Sequence, residues 1–362
     1  MTTPLAARLA DAIRRDGPLP VSEFMAAALL DSEHGYYATR DPFGAAGDFI
    51  TAPEISQMFG ELIGLWAAVA WQAMGAPARV VLAELGPGRG TLMADLLRAA
   101  ATVPSFRAAL DIWLVEASPV LRRRQEAALD GQGAHWAAEL AGLPPGPLLL
   151  VANEFFDALP IEQYVRAPEG WTRRMVGLDA DGRLAFAAGP PADPGPAPAA
   201  PPGAIFETCP EGRRLAGALG RRLATQGGAA LLIDYGHGRS AAGETLQALR
   251  RHRPVPVLDA VGEADLTAHV DFEALAAAAI PARAWGPVPQ GDFLRGLGIE
   301  TRAARLTAGK PPAQAADILG RMHRLIDAAE MGTLFKVMAL ADPALPPLPG
   351  LAAPLGPPQE PR

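Results

Sequence analysis

The sequence predicts an α/β fold, a mostly parallel sheet with helices on both faces, and three observations carry this. Apolar segments at 80–85, 111–115 and 147–152 alternate with helical patterns over 91–100 and 119–129. The first of these segments, Val80 to Leu85, runs straight into Gly86-Pro87-Gly88-Arg89-Gly90 before the helical pattern begins at Thr91. After an interruption the alternation resumes, with a helix over 211–225 and a strand over 229–234. Parallel strands joined by helices hold their ligands outside the carboxyl ends of the strands, so the turns there are where chemistry is expected.

In chain order, residues 5–15 and 21–30 form two helices broken by Gly17-Pro18-Leu19-Pro20, with Ser22 as a cap for the second. A turn-rich stretch runs from His34 to Phe49, and Ser56 to Met74 has apolar residues at helical spacing. Beyond Pro160 the period changes to short strands, Gln163–Val165, Arg173–Leu178 and Leu184–Ala187, the last two joined by Asp181-Gly182. This is an antiparallel insertion, closed by a proline-rich linker over 189–203 without an aromatic residue. Helices are expected at Thr245–Arg251, 271–279 and within 293–328, then a last strand at Thr333–Leu340 and a proline-rich, disordered tail from Pro343. The domain boundaries that follow are 1–75 for an N-terminal helical and lid region, and 76–160 with 205–240 for the core. Residues 161–204 form the insertion and linker, 241–342 a C-terminal helical or substrate region completing the sheet, and 343–362 the tail.

A chain of 362 residues with 49% apolar content can bury a large core or two. Its net charge of −7 argues against a nucleic-acid partner. One cysteine, Cys209, excludes intrachain disulfides and cysteine-based zinc clusters, and fits a reducing compartment such as a bacterial cytoplasm. The longest apolar run, Leu62 to Ala73, is too short to span a membrane, and the first residues lack an apolar signal core. No spacing of histidines and carboxylates indicates a metal site. Oligomeric state is not legible, since the Leu62–Met74 helix suits an interface as readily as a core.

The glycine turn is the first candidate site. Gly86, Gly88 and Gly90, with Pro87 between them, let backbone approach a ligand closely, and the following helix offers unpaired N–H groups. Thr91 stands where a dinucleotide fingerprint wants its third glycine, and no Gly-Lys-Ser/Thr follows for a triphosphate. Glu84, two residues before the first glycine, repels phosphates and attracts an ammonium, so the pocket suits a cationic cofactor such as S-adenosylmethionine; a tight turn without ligand is the competing reading. Glu116 ends the second strand and Ala117 follows it, both expected at the cofactor; an acid there accepts hydrogen bonds from ribose hydroxyls, against a merely solvated strand end. Trp136 stands where a third strand ends and either stacks on adenine or packs in the core.

Asn153-Glu154-Phe155-Phe156-Asp157-Ala158-Leu159-Pro160 follows the strand Leu148–Val151 and so faces the cofactor. Its amide holds an amino group while Glu154 and Asp157 grip a cation; capping by Asp157 and plain packing of the phenylalanines compete. In Gly47 to Ser56 a capping box, Thr51 with Glu54, competes with a cofactor role for both residues. Asp234 and His237 end a core strand and lie on the same active edge, although a lone histidine is more often structural.

Gly47 to Glu61, Glu84 to Gly90, Asn153 to Pro160, Ile233 to His237 and Asp265 to Phe272 together resemble the MidA-type S-adenosylmethionine-dependent methyltransferases, across nearly the whole chain. This family holds a mitochondrial complex I assembly protein-arginine methyltransferase and its bacterial relatives. The resemblance implies a class I methyltransferase (Rossmann-like) fold with S-adenosylmethionine as cofactor. From the mitochondrial member it implies dimethylation of an arginine on a complex I subunit, and hence a protein substrate. By position it gives cofactor binding to Gly86, Gly88 and Gly90 and substrate contact to the Asn153 motif. An arginine substrate has delocalised lone pairs and a pKa above about 12. Two carboxylates, Glu154 and Asp157, are therefore expected to hold one edge of its fork, with Asn153 orienting and Phe155 or Phe156 excluding water. Residues Tyr36 to Glu54 are expected to fold over the cofactor as a lid. The alternatives are an assembly chaperone that binds the cofactor without obligatory catalysis, methylation of a small molecule, and, disfavoured by Thr91 and Glu84, a dinucleotide oxidoreductase.

Overall fold

The computed structural model describes residues 3–39 and 51–351, and the chain divides into two compact units. The larger comprises residues 50–156, 215–238 and 274–362, the smaller residues 1–49, 157–214 and 239–273.

In the larger unit seven strands form one sheet: β1 (Val80–Leu85), β2 (Leu110–Val115), β3 (His135–Ala137), β4 (Leu148–Asn153), β5 (Gly228–His237), β6 (Arg283–Pro289) and β7 (Phe335–Ala341), in the order β6-β7-β5-β4-β1-β2-β3. The five strands from β5 to β3 are parallel, with Gly228 opposite Leu148, Val81 opposite Leu148, Val80 opposite Leu110 and Trp113 opposite His135. β7 runs antiparallel to both β5 and β6. The chain winds outward from β1 through β2 to β3, then returns to place β4 and β5 on the other side of β1. The crevice where strand order reverses therefore opens at the carboxyl ends of β1 and β4. Every residue of β1 and β4 is buried, as expected for central strands covered on both faces.

The helices here have legible causes. Gln57–Ala73 starts at Ser56, whose hydroxyl accepts the Met58 N–H at 3.2 Å. It buries Met58, Phe59, Leu62, Ile63, Trp66, Ala67, Ala70 and Trp71 in the core of this unit, while Leu65 and Val69 stay exposed. Thr91–Ala100 carries the same core on Leu92, Met93, Leu96 and Leu97. Pro119–Ala128 is capped by the Ser118 hydroxyl.

The smaller unit gathers the helices Pro4–Asp16 and Val21–Leu30, an antiparallel sheet built on Glu162–Ala167, Gly170–Leu178, Leu184–Pro191 and Ile205–Thr208, and a three-stranded sheet of Gln247–Arg250, Arg253–Val255 and Asp265–Thr267. Its own core is formed by Leu5, Ile13, Phe24, Met25, Leu29, Tyr36, Val176 and Leu266, among others. No helix among the described residues is long and apolar enough to cross a membrane.

Three local expectations are corrected, and one strand is additional to them. Thr245–Arg251 is not a helix: Gln247–Arg250 is a strand that puts Ala248 into the core of the smaller unit, and its pairing with Asp265–Thr267 overrides the helical spacing of its leucines. Ser22 does not cap its helix; its hydroxyl donates to Glu162 Oε1 at 2.7 Å instead. The expected disorder does not begin at Pro343, because Leu345 and Leu348 are buried in the core of the larger unit; residues 352–362 lie outside the described residues. The strand Arg283–Pro289 had no counterpart in the sequence reading, since Gly286-Pro287 interrupts it and the register shifts between Trp285 and Val288. Proline is tolerated there because β6 is an edge strand.

Candidate cofactor and substrate site

The glycine turn is a close backbone approach in the structure. Gly86, Gly88 and Gly90 have φ of 58°, 53° and 83°, the left-handed region that other residues reach only with strain. A Cβ on Gly86 would stand 2.8 Å from Cδ2 of Phe155, so the turn after β1 and the turn after β4 touch at a point only glycine allows. The Gly90 N–H donates to the Pro87 carbonyl at 2.7 Å, closing the loop. Gly90 caps the following helix without a side chain, leaving that terminus to backbone groups.

Glu84 is only 3% exposed; its carboxyl accepts the Met93 N–H, and Oε2 has no hydrogen-bond partner among the described residues. Burial pushes its pKa up to about 8, against which the Met93 N–H works in the opposite direction. Glu84 is therefore not the fixed negative charge that its position in the sequence suggests. With the pKa raised that far the neutral form is favoured at pH 7, because β1 desolvates the group and gives it no cationic partner to offset that cost.

Glu116 at the end of β2 is also buried, which raises its pKa; Ser118 N–H, Gln125 and Ala117 N–H act against that shift. Ser118 N–H donates to Oε1 at 2.7 Å, and Ala117 itself is exposed. Gln125, fully buried on the helix Pro119–Ala128, ties this corner together. Its amide donates to the Gly88 carbonyl at 2.8 Å and to Glu116 Oε2 at 3.1 Å, and its Oε1 accepts the Trp136 indole N–H at 2.9 Å. One glutamine thus joins the glycine turn, the acid expected to take the ribose and the expected adenine neighbour. Sequence reasoning missed it, because a glutamine on an amphipathic helix gives no signal of its own. Trp136 is half-buried and packs against the core of the larger unit.

The turn after β4 is built around Asp234 on β5. Asp234 is 1% exposed; Oδ2 accepts the Phe155 and Phe156 N–H groups at 3.2 and 3.0 Å, and Oδ1 accepts the Tyr235 N–H. Its carboxylate thereby fixes the Asn153–Phe156 backbone, which includes Glu154 at a φ of 51°. A non-glycine residue held there marks a place the surrounding structure over-determines. Asn153 is buried, its amide nitrogen donating to Glu154 Oε1 at 3.1 Å, and its Oδ1 has no hydrogen-bond partner among the described residues. A buried, unused acceptor beside the glycine turn suits an amino donor on a ligand.

The Thr51 segment joins the same corner. Thr51 makes no side-chain cap; its carbonyl accepts the Glu54 and Ile55 N–H groups, so the capping box does not form. Glu54 Oε1 instead accepts the Thr91 hydroxyl at 2.7 Å, and the Ala52 N–H donates to Glu154 Oε1 at 3.1 Å. Through Glu54 with Thr91, and through Ala52 with Glu154, the Thr51 segment thus touches the helix start after β1 and the turn after β4. Of the expected lid, residues 40–50 lie outside the described residues. Asp157 belongs to the smaller unit, where it is 6% exposed and its carbonyl accepts the Ala268 N–H at 2.9 Å.

The chain is similar to known proteins of one family. Residues 62–288 match the family described as "Putative S-adenosyl-L-methionine-dependent methyltransferase". The chain is 37% identical over 93% of its length to the mitochondrial protein arginine methyltransferase NDUFAF7 of Mus musculus, covering 84% of that protein. With the Homo sapiens NDUFAF7 it shares 35% identity over 93% of its length and 83% of that protein. A crystal structure from Burkholderia thailandensis with S-adenosyl-homocysteine bound superposes with a TM-score of 0.80 at 31% identity, over 94% of this chain and 93% of that one. S-adenosylmethionine is thus the cofactor, the fold is the α/β methyltransferase fold, and the chain belongs to this family of S-adenosylmethionine-dependent methyltransferases.

Proposed function

We propose that the chain is a protein-arginine N-methyltransferase that dimethylates an arginine on a respiratory complex I subunit or similar protein, in a bacterial cytoplasm. The observation that carries this reading is the turn after β4: an acid, Glu154, held in left-handed backbone beside a buried amide at the crevice of the sheet. The mouse and human relatives, which are protein arginine methyltransferases by name, support the arginine, and the resemblance of the motifs supports the complex I subunit.

Gly86, Gly88 and Gly90 would bring backbone against the cofactor, Glu116 would take its ribose hydroxyls, and the free Oδ1 of Asn153 would accept from an amino group. When bound, S-adenosylmethionine supplies a methyl on a sulfonium, which a nitrogen takes in line, losing a proton as the sulfur leaves as a neutral thioether. The rest is positioning, worth on the order of 7 to 11 kcal/mol when well arranged. Glu154 would hold one edge of the guanidinium and polarise its charge toward itself, leaving the opposite nitrogen the better nucleophile, and Asp157 is the second carboxylate proposed for that role. Phe155, half-buried over Gly86, would keep water from the reacting atoms.

The test is mass spectrometry of lysate proteins from cells with and without this chain. An arginine heavier by about 28 Da, two methylene equivalents, only where the chain is present is the expected result. Absence of any such arginine overturns the reading. Unchanged turnover in both Glu154→Gln and Asp157→Asn, with cofactor binding intact, removes the roles given to those carboxylates. A chaperone that needs the cofactor only to order its fold would bind its partner without transferring radiolabel from S-adenosylmethionine.

A further inference from the structure

Asp157 has a second carboxylate in its own unit. Asp265 opens the strand Asp265–Thr267, which pairs antiparallel with Gln247–Arg250 so that Leu249 stands opposite Asp265 and Gln247 opposite Thr267. Side chains alternate along a strand. Leu266 enters the apolar core with Ala248, and Asp265 and Thr267 face the other way. Asp265 is 4% exposed and accepts the Tyr37 hydroxyl on Oδ1 at 3.0 Å. Burial, followed by the charges of Asp265 and Asp157, holds the Tyr37 phenol well above its usual pKa, so it stays a neutral donor. The Asp157 carbonyl takes the Ala268 N–H, which lays residue 157 alongside the end of the same strand. Thr267 is the independent sign of a ligand: it is 2% exposed, on the same face as Asp265, and its Oγ1 has no hydrogen-bond partner among the described residues.

We infer that Asp265 and Asp157 together receive the guanidinium of the substrate, with Thr267 Oγ1 accepting a further N–H and Tyr37 positioning Asp265. The inference rests on the arginine reading above and names the residues that would select arginine. A guanidinium presents five N–H donors in a flat fork and no acceptor, which matches carboxylates and a hydroxyl used as acceptors. A lysine ammonium has three donors on a point charge, fills fewer of these sites, and is more strongly hydrated in water. Tyr37 acts through Asp265: its hydroxyl occupies one oxygen lobe and fixes the plane of the carboxylate.

The experiment uses the full chain loaded with S-adenosyl-homocysteine, titrated with N-acetyl-arginine methylamide and, as control, N-acetyl-lysine methylamide. The wild type is expected to prefer the arginine probe by at least about tenfold. Asp265→Asn is expected to lose about tenfold in affinity for the arginine probe, and Thr267→Val and Tyr37→Phe a few fold, each with S-adenosyl-homocysteine affinity unchanged. An Asp265→Asn chain that binds the arginine probe as the wild type does, or a wild type that fails to distinguish the two probes, overturns the inference. Should Asp265→Asn fail to fold, undiminished arginine binding by both Thr267→Val and Tyr37→Phe does the same. Transfer of labelled methyl groups to lysate arginines by the wild type separates the two proposals: transfer that Asp265→Asn leaves unchanged refutes this one alone, and no transfer by the wild type refutes the arginine reading itself.

Discussion

Replacing Glu84 by Gln isolates the cost of burying an acid under the glycine turn. Glutamine keeps the shape and an oxygen to accept the Met93 N–H but cannot ionise. The folded-state pKa of about 8 lies above the ordinary value of 4.5. Below pH 4.5 both states carry the proton and there is no penalty. Between 4.5 and 8 the unfolded chain releases the proton while the folded chain keeps it, so stability falls with rising pH at about 1.4 kcal/mol per pH unit. The loss relative to acid is of order 1 kcal/mol at pH 5 and 3 kcal/mol at pH 7, levelling off at about 5 kcal/mol above pH 8. The new amide N–H groups replace Oε2, which has no hydrogen-bond partner among the described residues, and cost a constant of about 1–3 kcal/mol, so the diagnostic is the slope and not the offset. Urea unfolding of both chains at several pH values from 5 to 9 measures it. The variant should gain on the wild type steadily up to pH 8. Two parallel stability curves would show that Glu84 is not a buried, uncompensated acid and would refute the reasoning.

Three further outcomes follow from the contacts. Gly86→Ala places a methyl 2.8 Å from Phe155 at a φ of 58°, and should cost about 1–3 kcal/mol in stability and weaken cofactor binding about tenfold by calorimetry. Gln125→Leu removes the contacts to Gly88, Glu116 and Trp136 at once; it should lower cofactor affinity and shift the fluorescence of Trp136, and an unchanged affinity would deny Gln125 its linking role. Asp234→Asn turns one acceptor oxygen into a donor facing backbone N–H groups, so turnover should fall by about tenfold or more while S-adenosyl-homocysteine still binds, as followed by single-turnover transfer.

The parallel core was legible because its signals are local and mutually consistent. The apolar run of β1, the glycines after it and the helical pattern from Thr91 all fall where the structure has them, and the same holds for β4 and the Asn153 turn. Pairing that joins distant stretches was harder. Gln247–Arg250 takes its state from Asp265–Thr267, and β6 from β7, so neither can be read from its own residues. The site divides in the same way. Glu84 and Asn153 lie at the ends of strands, Glu116 and Glu154 just beyond them, and all four could be named from position alone. Gln125 and Asp234 act through hydrogen bonds to residues 37 and 78–79 positions away, which no local pattern records. Thr51 and Glu54 carry a capping signature that the structure uses differently, the Glu54 carboxylate accepting the Thr91 hydroxyl instead.

The claim on which the rest depends is that the corner around Gly86–Gly90, Glu116 and Asn153 is where the cofactor sits. A crystal structure of this chain with S-adenosyl-homocysteine tests it directly. The account predicts the ribose hydroxyls on Glu116, the amino-acid end at the glycine turn and an amino group on Asn153 Oδ1. Product bound elsewhere on the chain, with Asn153 Oδ1 and the glycine turn untouched, would contradict it.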